Sequence, residues 1–285
     1  MYVVKVPGIN GLGKTKGCEG AGNAIIAMLR EIYSNEGGKS VQKENFDLEE
    51  IHLDNSDLIL SNKLIYKNSF ECFEEQPKTI FLGGDHSVSY SIARAFFDSC
   101  DNSGKEPCLI VFDAHPDLMT PMKVESGDSS HTTPMCCKEP THEEWLSTLI
   151  DDGFPSENVL LVGVRNSWKD ELDFIKKKKI KVIDCDKILL DIEGACDTIT
   201  EFVQGRELYV SIDMDVIDPA FAPATSYSNE IGGLTSRQFL YLIKRINKIK
   251  TLRGVDIVEI NSKLDEEKFN GMTIKLGAKI LSELL

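Results

Sequence analysis

Three short stretches of this chain carry carboxylates and imidazoles at close spacing: Gly83-Gly84-Asp85-His86-Ser87, Asp113-Ala114-His115-Pro116-Asp117 and Ser211-Ile212-Asp213-Met214-Asp215. Each follows or closes an apolar run that reads as a β-strand, at 79–82, 109–112 and 208–212. Carboxylates this dense repel one another and raise each other's pKa unless cations sit among them. Stability alone does not call for such a set; a metal site does. Carboxylates with a minority of imidazoles, and no thiolate, suit a hard or borderline ion such as Mn²⁺ rather than a structural Zn²⁺. His86, Asp113, His115, Asp117, Asp213 and Asp215 are more ligands than one ion takes if it also holds water. They fit two ions roughly 3.5 Å apart, which together acidify a shared water near neutral pH.

In Asp113-x-His115-x-Asp117 and Asp213-x-Asp215 the candidate ligands are two residues apart, so an extended backbone would point them to one side. The glycines before His86 permit a tight turn and a close approach. Each piece alone has a plainer reading. Asp213 and Asp215, ahead of Asp218-Pro219, could cap a turn, and His86 could be an ordinary first-turn helix residue. Their recurrence at three strand ends is what points to a dinuclear centre, because parallel α/β sheets bind ligands beyond the carboxyl ends of their strands.

The elements that must position these residues alternate. Strand-like runs fall at 3–6, 79–82, 109–112, 159–164, 181–183, 208–212 and 254–260. Helical spacing of apolar residues is found over 19–33, 87–98, 169–178, 192–203 and 273–284, with Ser87 expected to cap the second of these. Thr235-Ser236-Arg237-Gln238 has the form of a capping box and opens a helix carrying Phe239, Leu242, Ile243 and Ile246 on one face. Continuous apolar strands alternating with helices predict a parallel sheet covered on both faces. No Pro/Ser/Gly-rich linker interrupts the pattern, so residues 1–285 are expected to form a single domain. Residues 36–39 and the long polar stretch 119–134 read as surface loops, the latter of a length that often serves function. Lys176 to Lys179 reads as a solvated helix end.

A net charge of −14 argues against a nucleic-acid partner, which would want a basic face, and suits a cationic substrate. The blander reading of the charge is solubility. No apolar run approaches the length of a membrane span. The eight cysteines form no C-x-x-C pair, and Met1 leads straight into a short strand rather than a signal peptide. The expectation is a reduced, cytoplasmic protein whose thiols are small core residues.

The strings GGDHS, DAHPD and SIDMDVIDPAFAPAT resemble the three signatures of the ureohydrolases, the family of arginase, agmatinase and formiminoglutamase. The resemblance runs from Gly17-Cys18-Glu19-Gly20 to Val258-Glu259-Ile260-Asn261. It implies a three-layer α/β/α domain with a mainly parallel sheet of about eight strands, two Mn²⁺ per subunit, and a homo-oligomer, trimer or hexamer. By motif, one Mn²⁺ would be held by His86, Asp113, Asp117 and Asp213, and the other by His115, Asp113, Asp213 and Asp215, so that Asp113 and Asp213 bridge. The reaction implied is hydrolysis of a guanidinium group to urea and an amine. Asp117 looks like the family's carboxylate that passes a proton to the leaving amine, His131 like its proton-shuttle histidine, and Glu259 like the carboxylate that hydrogen-bonds the guanidinium.

The positions that would read an α-amino acid depart from arginase. Met119 stands where an asparagine holds the substrate carboxylate, and Trp168 where an aspartate receives the α-amino group. Agmatinases tend to place an aromatic there, and Trp168 could stack on a cationic amine or pack in the core. Ser126-Gly127 matches another carboxylate-contacting stretch, followed by an extra residue before His131. The stretch 225–230 departs from the usual Gly-Thr-Pro pattern, and Glu230 within it could bind an amine tail or be a surface acid. These changes favour agmatine, giving putrescine, over arginine or another guanidino or formimino compound. Other readings are a different metal hydrolase, a deacetylase or phosphoesterase, and a non-catalytic homologue that keeps its metals for stability.

Overall fold

The short apolar runs become the interior of one parallel sheet. The computed structural model describes residues 1–41, 46–120, 139–226 and 230–285. In chain order the elements are β1 (Tyr2–Val6), α1 (Ala21–Leu29), β2 (Asp47–Glu50), α2 (Leu58–Glu75), β3 (Thr79–Gly83), α3 (Val88–Ser103), β4 (Pro107–Phe112), α4 (Trp145–Asp151), β5 (Val159–Val162), α5 (Lys169–Lys178), β6 (Lys181–Ile183), α6 (Cys185–Leu190), α7 (Ile192–Val203), β7 (Glu207–Asp213), α8 (Ser236–Ile246), β8 (Leu252–Val258), α9 (Ser262–Lys268) and α10 (Met272–Leu284). The strands run in the order β2-β1-β3-β8-β7-β4-β5-β6, and every described pairing is parallel.

Alternation along each strand sorts side chains to the two faces. Cys108, Ile110 and Phe112 of β4 join the core built with α1, α7, α8 and α10, while Leu109 and Val111 join the one built with α2, α3 and α4. This is the three-layer α/β/α arrangement. No described helix is long and apolar enough to cross a membrane.

Several expectations hold in detail. The capping box closes as drawn: Gln238 N–H donates to Thr235 Oγ1 at 3.2 Å and Thr235 N–H to Gln238 Oε1 at 2.9 Å. The six described cysteines are free, and all but Cys185 are buried. Others need correction. The first helix is shorter than residues 19–33, because a 3-10 turn at Cys18–Gly20 precedes it. Ser87 makes no cap bond; its hydroxyl turns back to Asp85 Oδ1 instead. The last strand runs Leu252–Val258, so Glu259 lies just past its end.

Candidate metal centre

The carboxyl ends of four adjacent strands, β3, β8, β7 and β4, supply the site. His86 follows β3 by a turn that brings Gly84 against the N-terminal loop: a Cβ at Gly84 would lie 2.0 Å from Gly8 O, so only glycine fits. Asp85 N–H donates to that carbonyl at 3.1 Å. The Asp85 side chain accepts from Asn10 N–H at 2.7 Å and Thr15 Oγ1 at 2.6 Å, which pins the loop. Asp85 is thus occupied in holding the turn that aims His86.

The other two segments do not stay extended. β4 ends at Phe112, and the chain bends so that His115 N–H donates to Asp113 Oδ1 at 2.6 Å. Asp117 takes a left-handed φ of 52°. Asp213 closes β7, and Asp215 lies in a 3-10 turn whose N–H donates to Asp213 Oδ1 at 2.8 Å. The candidate ligands therefore converge through bends, with spare carboxylate oxygens clamping the backbone, rather than through the pleat. Glu259 also has a left-handed φ, 65°. Non-glycine residues in that region are uncommon and cluster at functional sites.

Six side chains meet here. His86 Nδ1 lies 3.1 Å from Asp113 Oδ2, 2.9 Å from Asp117 Oδ2 and 3.2 Å from Asp213 Oδ2. His115 Nδ1 lies 3.1 Å from Asp215 Oδ2 and 3.5 Å from Asp113 Oδ1. Two clusters have donor atoms within 4.8 Å of one another: His86, Asp113 and Asp213, and Asp113, His115 and Asp215. Asp113 belongs to both and Asp213 only to the first, while Asp117 joins through its contact with His86.

The electrostatics fit a cation. Burial, then the Asp113 charge, pushes Asp117 up to about 7. Burial, then Asp215 and Asp113, pushes Asp213 well above the carboxylate range, and Asp215 also rises, through burial and Asp113. Asp113 is held low, because His115 and His86 outweigh its burial. Burial would lower the two imidazoles, yet both are raised by these carboxylates. Positive charge is what such a cluster lacks. His86 Nδ1 and Asp113 Oδ2 are also buried without a well-formed hydrogen bond. An oxygen-rich set with two imidazoles and no thiolate in either cluster suits two divalent ions of the Mn²⁺ type.

The surroundings include residues that the sequence did not single out. Trp145 Nε1–H donates to Asp117 Oδ2 at 2.9 Å, and its ring packs 4.8 Å from that of His86. His142 is buried with Nδ1 3.5 Å from Glu259 Oε1. The pair works in both directions: Glu259 raises His142 to about 9 against its burial, and Glu259 is held low despite burial by His142, Ser226 and the His86 amide. The His86 N–H to Glu259 Oε1 bond is 2.8 Å, and the isolated bridge Thr225–Ile260 brings the Ser226 hydroxyl to the same carboxylate. No spacing signal marks His142 or Trp145; each arrives only because the chain re-enters the site before α4.

A cleft of about 540 Å³ opens over the cluster, with Met119, His142, Arg165, Trp168, Glu230 and Glu259 among its lining. Trp168 is 71% exposed, which excludes core packing. Glu230 faces the site: Oε1 is 3.6 Å from His115 Nε2, and Asn166 donates to Oε2. Ser126 and His131 lie outside the described residues.

Residues 2–285 of the chain match the model of the arginase family. It is 29% identical over 233 residues to an arginase of Staphylococcus aureus, covering 79% of this chain and 74% of that one. It is 33% identical over 210 residues to a proclavaminate amidinohydrolase of Streptomyces clavuligerus, covering 72% of this chain and 60% of the relative. The solved formimidoylglutamase of Bacillus subtilis superposes with a TM-score of 0.80 at 25% identity, covering 99% of this chain and 85% of that one. The strand-end carboxylate cluster and these likenesses agree: the chain belongs to the arginase family of hydrolases.

Proposed function

We propose that this protein hydrolyses agmatine to urea and putrescine at a two-Mn²⁺ centre held by His86, Asp113, His115, Asp117, Asp213 and Asp215, within a homo-oligomer. The observation that carries the reading is the cleft wall. Beside the acidic floor it presents exposed Trp168 and half-buried Met119 and Glu230. These suit a cationic amine tail, by stacking and by charge.

The described cations of the cleft are already engaged. Arg165 Nη2 donates to Asp215 O at 2.7 Å and Glu230 O at 2.6 Å, and Lys14 Nζ lies 3.2 Å from Glu143. This argues against a substrate α-carboxylate as the group that is read.

When bound, the two ions supply Lewis acidity and lower the pKa of water. The chain's own residues do the rest. Glu259, kept ionised at the end of β8, receives the guanidinium and orients it toward the cluster. Asp117 takes up a proton from the attacking water and hands it to the departing nitrogen, which leaves as a neutral amine once the C–N bond breaks and is protonated afterwards in solvent. His131 carries the proton between that region and solvent. Trp145 holds Asp117 at the angle this requires.

The test is urea release by the Mn²⁺-loaded protein from agmatine, arginine, guanidinobutyrate and guanidinopropionate, with formamide release from formiminoglutamate in parallel. Agmatine is expected to give the highest kcat/KM, with putrescine equal to urea. Preference for arginine or formiminoglutamate overturns the substrate. No product from any, with two ions bound, favours the non-catalytic reading.

A further inference from the structure

Asp256 lies within β8, fully buried, and belongs to neither ion-facing cluster. Its carboxylate accepts from Ser89 Oγ at 2.7 Å, Ser211 Oγ at 2.7 Å, Ile212 N–H at 3.2 Å and the Tyr209 hydroxyl. Those donors fill the lone pairs of a carboxylate, which can only accept. Ser211, also fully buried, places its Oγ 2.9 Å from His86 Nε2.

The direction of each bond follows from counting protons. A serine hydroxyl has one. Ser211 gives its proton to Asp256; its other neighbour, Ser89 Oγ, is farther off at 3.3 Å and spends its own proton on the same carboxylate. Toward His86, Ser211 can then only accept, so Nε2 must carry a proton. The opposite ring nitrogen, Nδ1, is the one that faces Asp113, Asp117 and Asp213 without a well-formed hydrogen bond.

We propose that Asp256 and Ser211 are positioning residues: the chain Asp256–Ser211–His86 fixes His86 as the Nε2–H tautomer and aims its Nδ1 lone pair into the carboxylate cluster. Partners of this kind orient metal-binding histidines and sharpen their basicity. Here the acceptor sits one hydroxyl away and is anchored in the strand between those that carry His86 and Asp213. The inference rests on His86 being an ion ligand, as proposed above.

The experiment is Mn²⁺ titration calorimetry on the metal-free wild-type protein and on Ser211→Ala and Ser211→Thr. Ser211→Ala is expected to weaken Mn²⁺ binding about 10–100-fold, and to melt lower in the metal-free state through loss of one hydrogen bond to buried Asp256 while remaining folded at the titration temperature. Ser211→Thr keeps the hydroxyl and is expected to restore binding to within a few fold. Wild-type affinity in Ser211→Ala overturns the relay, and wild-type protein that binds no Mn²⁺ overturns the ion-ligand reading beneath it. A fold-independent measurement is nitrogen-15 histidine NMR of the wild-type protein loaded with diamagnetic Zn²⁺. A protonated Nε2 on His86 supports the relay, and an unprotonated one overturns it even if Ser211→Ala fails to fold.

Discussion

Glu171 gives the most direct test of how the cleft wall is tied to the cluster. It is 3% exposed, and its two oxygens accept different amides: Leu118 N–H at 3.1 Å and Trp168 N–H at 2.8 Å. One carboxylate thus joins the residue after Asp117 to the first turn of α5, where Trp168 stands. Glu171→Gln keeps the size and one oxygen, but its other arm becomes an NH₂ facing a donor. The loss is one charge-assisted hydrogen bond, worth about 1.5–3 kcal/mol. At roughly 2–4 °C per kcal/mol for a chain of this size, the metal-free protein should melt about 3–12 °C lower. Released from Glu171, Leu118 lets Asp117 drift, and a displacement near 1 Å at a reacting group costs about 100-fold in rate. Urea denaturation and kcat/KM for urea release, both at pH 8, read the two effects. Stability within about 0.5 kcal/mol of wild type, the ordinary range for an inconsequential substitution, would refute the reasoning. So would a stability loss with kcat unchanged, since Asp117 would then not depend on this clamp.

Asp117→Asn should abolish urea release while metal analysis still finds most of the Mn²⁺; full activity would remove its proton-transfer role. His131→Ala should slow turnover with metals retained and alter the pH–rate profile, and an unchanged profile would count against the shuttle. His142 has its folded pKa raised to about 9 by Glu259, so its stabilising effect is full below its unfolded pKa near 6.5 and fades as pH rises through 9. A shift of that size corresponds to at most about 3 kcal/mol, and in His142→Gln the decline in stability between pH 6.5 and 9 should flatten, as followed by denaturant midpoints. Chelation should lower the melting temperature because the clustered carboxylates lose their counter-charge, and Mn²⁺ at about 100-fold over its Kd should return about 2.7 kcal/mol per site; Tm insensitive to chelator would contradict a cation-filled cluster.

The residues of the carboxylate–imidazole cluster were legible because strand ends announce themselves. Apolar runs such as 109–112 stop abruptly at acid-rich residues, and no packing need explains Asp113, His115 and Asp117 together. The conformation there was not legible. Alternation suggested extended backbone, whereas the structure bends at His115 and turns left-handed at Asp117, a choice fixed by tertiary hydrogen bonds from Leu118 to Glu171 and Trp145 to Asp117. α2 escaped notice because its buried stripe includes Ser61 and Ser69 beside Ile65, Cys72 and Phe73, which dilutes the apolar period. β2 is an edge strand of sequence Asp-Leu-Glu-Glu, with nothing in its composition to suggest a sheet. His142 was invisible for a different reason: its value to the site depends on Glu259, more than a hundred residues away.

The strand order has a consequence for how the molecule is made. β8, the last strand in the chain, is inserted between β3 and β7. Until residues 252–258 are synthesised, β2, β1 and β3 cannot join β7, β4, β5 and β6 through hydrogen bonds. His86 belongs to the first group of strands and the aspartates to the second, so no nascent chain short of β8 can assemble the full coordination set. Completion of the proposed ion site around His86 is therefore a late event, following closure of contacts with large sequence separation, which are slow to form. A chain stalled or truncated before Leu252 would leave two unclosed sheet edges exposed, the kind of surface that favours misassembly. The Asp113, His115 and Asp215 cluster needs only β4 and β7, which pair directly, whereas the one that includes His86 is complete only when β8 closes the sheet.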